Sequence, residues 1–312
     1  MEILEDSNTG CELITSIASD NFIIFSISGG AGKNILATAV VKAMKTQYPE
    51  MNIVVLTAWK DVWMYNPYIY RSYNFQNSPY FYENYIKGKS NVKVFSLDPY
   101  QTEEYILKKE HLISTWCKLY GIQYNGEQPE LFFNKREVEF VQNTYVRNEP
   151  IFLFQTNGGA DANNKYSWVR DIPIGVAQQV VEQFRGEVRL MHIRRDEQLP
   201  MKDVEQFKGG LRELFVLIRE SKYRLFNDSV SQHASSAVGK KATICWVKND
   251  PQVLGYSLHD NIVTDAVEDL KSLDYSLLEP YDISGQIPQC PFKEDAVLFD
   301  IEEIVNSVRS QA

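Results

Sequence analysis

Short apolar runs alternate with amphipathic stretches along most of the chain. Residues 21–27 are rich in β-branched and aromatic side chains and end in the small residues 28–32, a pattern typical of a buried strand entering a tight turn. Apolar residues then recur at helical spacing from 34 to 48, and residues 52–57 form a second apolar run. Because strands that alternate with helices favour a parallel sheet, this part of the chain predicts a β-α-β unit.

The alternation continues to the end of the chain. A strand at 92–97 and a helix at 102–120 are followed by a polar, mixed segment at 125–148. The second half predicts strands at 151–154, 188–193, 223–226 and 242–247 and helices at 173–184, 211–220 and 231–238. A final helix at 301–308 has an apolar stripe and should therefore pack against a domain.

A chain of 312 residues exceeds the size at which a single hydrophobic core usually keeps growing. We place a boundary near 147–150, where the polar segment gives way to an apolar strand. The prediction is an α/β protein with two doubly wound, Rossmann-like domains that face each other across a cleft. They comprise residues 1–149 and 150–292, and the C-terminal helix lies in 293–312.

Composition narrows the functional classes. A net charge of -9 argues against binding polyanions over the whole surface, because phosphate neutralisation needs clustered Lys and Arg. The four cysteines lack CxxC spacing, which favours neither a zinc site nor a disulfide framework. An acidic N-terminus and the lack of an apolar run of ~20 residues argue against membrane insertion, so we expect a cytoplasmic protein.

Glycines follow the first predicted strand, in residues 28–34 (SGGAGKN). Such a turn lets the backbone approach a ligand, and helix N-terminal amides can hold negative charge. The segment is not a Walker loop, because Asn34 follows Lys33 where Ser or Thr is required. It is not a dinucleotide fingerprint either, because Ile35 takes the place of the third glycine. A structural turn and a ligand-facing loop both stay open.

A second polar loop, residues 157–165 (NGGADANNK), follows the first strand of the second half. Open α/β sheets bind ligands beyond the carboxyl ends of their strands, which is where this loop should lie. Asn157 and Gly158 begin the loop. Lys165 could supply a positive charge to a diphosphate, although a single loop lysine is usually only solvated.

Residues 226–241 (FNDSVSQHASSAVGKK) carry the most candidate chemistry. A strand ends at Phe226, small polar residues open a helix, and His233 lies one turn after Ser229 on the same face. Backbone amides, hydroxyls and an imidazole then converge, which suits a nucleotide phosphate more than hydride or metal chemistry. The alternative is that Asp228 or Ser229 caps the helix and His233 is a buried core histidine.

Four segments in this order resemble the bacterial ADP-heptose:lipopolysaccharide heptosyltransferase family. They are the loop and helix start at 30–38 (GAGKNILAT), the turn at 66–69 (NPYI), the Lys-x-x-Trp element at 165–168 (KYSW), and residues 227–239, which are similar to the family's Asp-Ser-Gly-x-x-His signature. Each segment alone is weak evidence for this resemblance. Their order and spacing, over residues 23 to 250, carry the resemblance.

The resemblance implies a GT-B glycosyltransferase fold, with an acceptor-side N-terminal domain and a donor-binding C-terminal domain. It implies inverting sugar transfer from a nucleotide-diphosphate sugar, which is a co-substrate, with no cofactor and no metal. We expect the donor to contact Gly30, Gly32, Asn157, Gly158, Lys165, Asn227, Asp228, Ser229 and His233.

The catalytic base is where the sequence departs from the family. Lys33 stands where the family usually has an Asp that deprotonates the acceptor hydroxyl, and Val230 replaces a glycine of the signature. Inverting transfer still needs a group that removes this proton. The candidates are Lys33 itself and two loop carboxylates expected to face the cleft, Asp61 and Asp161.

The aromatic stretch between residues 59 and 82 lies where this fold receives the acceptor. Trp and Tyr faces stack on sugars and also on flipped bases, so Trp63, Tyr65 and Tyr68 are candidate acceptor contacts, or else part of the core. By family analogy the acceptor is a surface saccharide. A hydroxylated base in phage DNA is the alternative acceptor.

Two further classes stay open. Lys33 in place of the acid is compatible with a non-catalytic nucleotide-sugar-binding relative. Residues 30–33 alone could suggest a P-loop nucleotidase or kinase, which the faulty motif disfavours. The sequence carries no signal of oligomeric state.

Overall fold

The structure is a computed structural model that describes residues 19–158, 167–266, 290–293 and 296–311. Two parallel sheets of four and six strands organise these residues. Within the described part of the chain, no helix is both long and apolar enough to cross a membrane.

The first sheet has the strand order β3-β2-β1-β4. Its strands are β1 (Asn21–Ile27), β2 (Asn52–Thr57), β3 (Arg71–Asn74) and β4 (Asn91–Phe95). All pairings are parallel, and Ile23 lies opposite Ile53 of β2. Alternate residues of β1 enter two different apolar clusters, as Ile23 and Phe22 do. Both faces of the sheet are therefore covered, which explains the continuous apolar runs in the sequence.

The second sheet has the order β10-β9-β8-β5-β6-β7 and is also parallel throughout. Its strands are β5 (Ile151–Gln155), β6 (Arg189–His192), β7 (Glu205–Gln206), β8 (Tyr223–Asn227), β9 (Thr243–Trp246) and β10 (Asp260–Val263). Counted from β5, this is the 3-2-1-4-5-6 order of a doubly wound nucleotide-binding sheet. The predicted α/β class with two Rossmann-like sheets is confirmed.

Helices connect the strands. They are α1 (Ala31–Gln47), α2 (Lys60–Trp63), α3 (Phe81–Tyr85), α4 (Glu103–Ile106), α5 (Leu112–Leu119), α6 (Lys135–Val141), α7 (Ile174–Glu182), α8 (Leu211–Glu220), α9 (Val230–Ala237), α10 (Pro251–Leu254) and α11 (Ile301–Arg309). A 3-10 turn (Pro99–Gln101) precedes α4, and a π turn (Gln142–Val146) follows α6. The predicted helices at 173–184, 211–220, 231–238 and 301–308 are confirmed to within a few residues.

The predicted single helix at 102–120 is wrong. Lys108 adopts a left-handed φ of 52°, which interrupts the helix between α4 and α5. His111 then starts α5 as its cap, with Nδ1 accepting a hydrogen bond from the Ile113 amide at 3.2 Å. Apolar spacing alone did not reveal this break, because residues on both sides keep a helical period.

Three strands were not predicted, namely β3, β7 and β10. Each has four residues or fewer, and each lies at the edge of its sheet. Edge strands contribute less to the core and carry more polar side chains, as Glu205 and Gln206 of β7 do. Such segments lack the apolar pattern that identifies a central strand.

Helices α1 and α9 join the two halves of the molecule. Residues of α1 such as Ile35 and Val40 share one apolar cluster with Ala234 of α9 and Trp246 of β9. The amide of Leu131 also donates to the Ala237 carbonyl at 3.3 Å. In the second half, α11 packs on α7 through Ile304 and Val308, which fits its apolar stripe. The carboxyl ends of the central strands consequently face one another at the junction of the two sheets.

Candidate active site

In each sheet the order of strand addition reverses at one pair of neighbouring strands. These pairs are β1 with β4 and β5 with β8. Open α/β sheets bind ligands in the crevice beyond the carboxyl ends of such a pair. We call the loops after β1 and β4 (residues 28–30 and 96–98) the first switch point. The loops after β5 and β8 (residues 156–158 and 228–229) are the second switch point.

Helix α9 begins at the second switch point. Ser229 is its N-cap residue, but the Ser229 side chain makes no capping hydrogen bond. Ser229 Oγ instead donates to Gln155 Oε1 at 3.0 Å, and Ser231 Oγ donates to the same oxygen at 2.5 Å. The interpretation of Ser229 as a simple helix cap is therefore wrong. The first amides of α9 receive no bond from this hydroxyl, and a helix N-terminus attracts anions.

Asp228 lies beside this helix start and is 5% exposed. Its Oδ1 accepts a hydrogen bond from Gln232 Nε2 at 3.3 Å, and its Oδ2 accepts one from Asn249 Nδ2. A carboxylate at the positive end of a helix is electrostatically favoured. Asp228 thus fixes the loop between β8 and α9, which is the loop that presents the helix amides.

His233 lies at the closest approach of the two halves. It is buried, and its Nδ1 shares a hydrogen bond with the Tyr256 hydroxyl at 2.9 Å. A Cβ placed on Gly32 of α1 would lie 2.8 Å from the imidazole Cδ2. Burial lowers the pKa of His233 to about 4, although the negative charge of Asp228 opposes this shift. The imidazole is therefore neutral near pH 7.

The loop after β5 is held at both ends by Asp171. The Asp171 carboxylate accepts hydrogen bonds from the Gly158 amide at 2.8 Å, the Ser167 amide at 2.7 Å and Asn157 Nδ2 at 2.9 Å. Burial raises the pKa of Asp171, and these three hydrogen bonds oppose the shift. Asp161 and Lys165 lie outside the described residues. Asp171 therefore fixes the two points between which the Lys165 segment runs.

Arg170 adds a positive charge to the second switch point. A Cβ on Gly158 would collide with the Arg170 side chain, so only glycine lets this arginine lie against the loop. Asn227 Nδ2 donates to the Arg170 carbonyl at 3.2 Å, which ties the end of β8 to the same segment. The Asn227 Oδ1 atom is buried and has no hydrogen-bond partner among the residues that the structure describes.

A cavity of about 290 Å³ opens at the same edge of the second sheet. It lies beyond β5 and β6 and next to the start of α8. Its lining residues are Gln155, Asn157, Ile193, Arg194, Arg195, Gln198, Phe207, Gly209, Gly210, Leu211 and Leu214. Asn157 therefore belongs to both the cavity and the second switch point, and Gln155 lines the cavity while accepting a hydrogen bond from Ser229 of the second switch point.

The first switch point contains an ion pair. Lys33 Nζ lies 2.6 Å from Asp98 Oδ2, and the lysine side chain is 5% exposed while the aspartate is 25% exposed. Ser28 Oγ donates to the same Asp98 oxygen at 3.3 Å, and the Tyr100 amide donates to Asp98 Oδ1 at 3.0 Å. Burial lowers the pKa of Lys33, and the hydrogen bond and charge of Asp98 oppose this shift. Gly30 is the N-cap residue of α1 at this position.

The phenol of Tyr105 in α4 interacts with charged groups of both switch points. Burial raises the pKa of its phenol to about 12. The negative charges of Asp228 and Asp98 add to that shift, and the positive charge of Arg170 opposes it. One phenol thus interacts with charged groups from both sheets. Gly32 of α1 also packs on His233 of α9, so the two switch points adjoin each other across one cleft.

The predicted acceptor contacts differ in their surroundings. Trp63 is 1% exposed, and its Nε1 donates to Asn34 Oδ1 at 3.1 Å, so its ring is part of the core. Tyr68 is half-buried and packs edge to face on Phe132. Tyr65 is 52% exposed. Of these three rings, only that of Tyr65 offers a largely open face.

Asp61 is exposed on the short helix α2. Its backbone carbonyl accepts a hydrogen bond from Arg212 of α8 at 3.0 Å. The Asp61 segment therefore takes part in the contact between the two halves. Of the candidate bases Lys33 and Asp61, Lys33 is the one that the structure pairs with a carboxylate, that of Asp98 after β4.

Sequence reasoning missed two charged residues of the cleft. Arg170 lies two positions after Trp168 of the Lys-x-x-Trp element, so a closer look beyond that element could have found it. Asp98 had no such signal, because the partner Lys33 is 65 residues away in the sequence. Across residues 19–158, 167–266, 290–293 and 296–311, no group of His, Cys, Asp or Glu side chains is arranged to hold a metal ion.

Solved structures with similar folds include glycosyltransferases. A glycosyl transferase family 9 protein from Veillonella parvula shares 13% identity and a TM-score of 0.66, over 94% of this chain and 97% of that one. ADP-heptose lipopolysaccharide heptosyltransferase II from Escherichia coli shares 12% identity and a TM-score of 0.56, over 78% and 89% of the two chains.

A third similar structure is the iron-containing, dodecameric glycosyltransferase TibC from enterotoxigenic E. coli. It shares 12% identity and a TM-score of 0.59, over 95% of this chain and 75% of that one. No family model matches the sequence, and a search of curated proteins finds no match. At these identities the likeness establishes architecture. The chain has the two-domain GT-B fold of the heptosyltransferase-like glycosyltransferases.

Proposed function

We propose that this chain transfers a sugar from a nucleoside-diphosphate sugar to a hydroxyl group of an acceptor saccharide, with inversion at the anomeric carbon. The observation that carries the proposal is the second switch point, where α9 begins shortly after Asn227, whose Nδ2 donates to the Arg170 carbonyl. Helix amides and arginine are the groups with which proteins commonly bind phosphates. They supply positive charge for the diphosphate without an obligatory metal ion.

The donor has room at the same edge of the sheet. We place the diphosphate between the α9 amides and Arg170, and the nucleoside in the cavity beside Arg194 and Arg195. Gln155 and Asn157 connect the two regions, because Asn157 belongs to both and Gln155, which lines the cavity, accepts a hydrogen bond from Ser229. Lys165, whose loop is anchored by Asp171, is a proposed third positive contact of the diphosphate.

The transfer step follows from this placement. A base removes the proton from the acceptor hydroxyl while that oxygen forms a bond to the anomeric carbon. The bond between the anomeric carbon and the phosphate oxygen breaks, and its electron pair leaves with the nucleoside diphosphate. Arg170 and the α9 amides stabilise the charge that develops on this leaving group.

The first compounds to test follow from the similar structures. Heptosyltransferase II is named for ADP-heptose, and a structure of TibC contains an ADP-heptose, so ADP-linked sugars come first. We propose that the acceptor meets the first domain near Tyr65, Tyr100 and Tyr105, whose rings can stack on a sugar. No observation in the described part of the chain favours a DNA base as acceptor.

Titration calorimetry with ADP, UDP, GDP, CDP and dTDP tests donor binding. We expect saturable binding of at least one of them. Arg170→Ala should weaken it about tenfold or more, since a hydrogen bond to a charged group contributes roughly 1.5–3 kcal/mol. Arg136→Ala, which removes the same charge from an exposed position of α6, is the control and should bind normally. A folded protein that binds none of the five nucleotides would contradict the proposal.

A further inference from the structure

The ion pair of the first switch point has no part in donor binding as proposed above. Lys33 lies in the first turn of α1, which follows β1, and Asp98 follows β4, so the pair connects the ends of two neighbouring strands of the first sheet. The lysine nitrogen also lies 4.6 Å from the centre of the Tyr100 ring and 5.5 Å from that of Trp116. Several elements thus hold these two charges at the mouth of the cleft.

Of the two partners, the carboxylate is the one that can accept a proton. An ammonium group has three donors and no lone pair, whereas a carboxylate has about four acceptor positions. The Asp98 carboxylate accepts hydrogen bonds from three donors, namely Lys33 Nζ, Ser28 Oγ and the Tyr100 amide. One acceptor position is left for an incoming hydroxyl. Asp98 is also the more exposed partner, at 25% against 5% for Lys33.

Asp98 lies near the contact between the two halves of the molecule. It pairs with Lys33 at 2.6 Å, and the neighbouring residue Gly32 packs on the His233 ring of the donor helix α9. A hydroxyl bound between the two switch points would therefore meet Asp98 on one side and the donor on the other.

We propose that Asp98 is the general base of the transfer reaction and that Lys33 is its positioning residue. This inference rests on the proposed function. Asp98 takes the proton of the acceptor hydroxyl as the new glycosidic bond forms, and the nucleoside diphosphate leaves with the electron pair of the broken bond. The carboxylate is supplied from the end of β4, and the ion pair with Lys33 fixes its orientation.

Asp98→Asn tests the assignment. The variant keeps the shape of the side chain but removes the proton acceptor. Release of nucleoside diphosphate is measured from ADP-heptose, ADP-glucose, UDP-glucose, GDP-mannose and dTDP-glucose with water as the acceptor. We expect kcat to fall about 10²- to 10⁴-fold, the usual contribution of general base catalysis. The dissociation constant of the nucleotide should not change.

Two further variants separate catalysis from structure. Asp98→Ala leaves a gap beside Lys33 that formate can enter, so added formate should restore part of the turnover. Glu130→Gln is the matched control, because Glu130 forms a comparable ion pair with Lys42 of the same helix α1, at 2.8 Å. The control should turn over donor like the unmodified protein. Should Asp98→Asn fail to fold, Asp98→Ser replaces it under the same criteria.

The possible results are distinguishable. Normal turnover by a folded Asp98→Asn protein overturns the assignment of the base and leaves the proposed function standing. Failure of the unmodified protein to bind any nucleotide overturns both. Nucleotide binding without turnover of any donor contradicts the base assignment and favours a non-catalytic binding protein. Loss of turnover with intact binding and formate rescue supports Asp98 as the base.

Discussion

The two switch points have the same strand arrangement but different chemistry. The first uses a pair of opposite charges, Lys33 and Asp98, enclosed by aromatic rings. The second has hydroxyls, amides and the neutral imidazole of His233 around the N-terminus of α9, with Arg170 nearby. In our proposal the first switch point accepts a proton and the second binds an anion. The same strand arrangement would then serve two different tasks.

The largest effect on stability should come from His233, because the second switch point depends on its neutral form. The unfolded chain, with a histidine pKa near 6.5, takes up a proton before the folded chain, whose pKa is about 4. The stabilising contribution is thus complete above pH 6.5 and is lost as the pH falls toward 4. At 1.36 kcal/mol per pKa unit the loss is about 3 kcal/mol.

Urea unfolding of the unmodified protein and of His233→Gln, at several pH values between 7 and 4, measures this contribution. The difference in unfolding free energy between the two proteins should shrink as the pH falls. Titrating groups that do not interact with His233 cancel in the comparison because both proteins contain them. A difference that stays constant across this range would show that His233 is not held neutral by the fold.

The contact between the two halves gives the next largest effect. Gly32→Ala should destabilise the protein by about 1–3 kcal/mol, the usual cost of overpacking, because the added methyl group would lie 2.8 Å from His233 Cδ2. Gly30→Ala is the control, since a Cβ there meets no atom within 4 Å. Thermal unfolding of both variants measures the effect. Equal stability of the two would mean that α1 and α9 do not pack as closely as described.

The smallest effect concerns the start of α9. Ser229→Ala removes the hydrogen bond to Gln155 and no capping bond, so the expected cost is about 1 kcal/mol, that of one ordinary hydrogen bond. Nucleotide affinity should be retained, because the α9 amides stay in place. Calorimetry and thermal unfolding of the same sample check both points. A loss of nucleotide binding with normal stability would instead make the Ser229 hydroxyl a direct ligand of the donor.

The central strands and their helices were predictable because apolar periodicity is strong where both faces of a sheet are covered. That pattern located β1, α1, β5 and β8, and with them the loops of both switch points. It could not locate β3, β7 and β10, which have four residues or fewer, whereas the longer edge strand β4 was predicted at 92–97. The break at Lys108 was missed because a left-handed residue does not alter hydrophobic spacing.

The site was predictable only in part. Polar residues after β8 could be found because they adjoin a clear strand in the sequence. The contact of Lys33 with Asp98 depends on the pairing of β1 with β4, which no local pattern encodes. Trp63 shows the opposite difficulty, because its sequence suggests a stacking surface while helix α2 places its ring in the core. Local sequence identifies candidate site residues. The order of the strands in the sheets determines which of these residues contact one another.

A crystal structure with the nucleoside diphosphate that binds most tightly would test most directly whether the donor binds at the second switch point and the general base lies at the first. We expect the diphosphate at the N-terminus of α9, within hydrogen-bond distance of Arg170. We also expect Asp98 to face the ligand from across the cleft without touching a phosphate. Phosphates bound instead by Lys33 and the amides of residues 29–33 would contradict the account and would make the first switch point the nucleotide site.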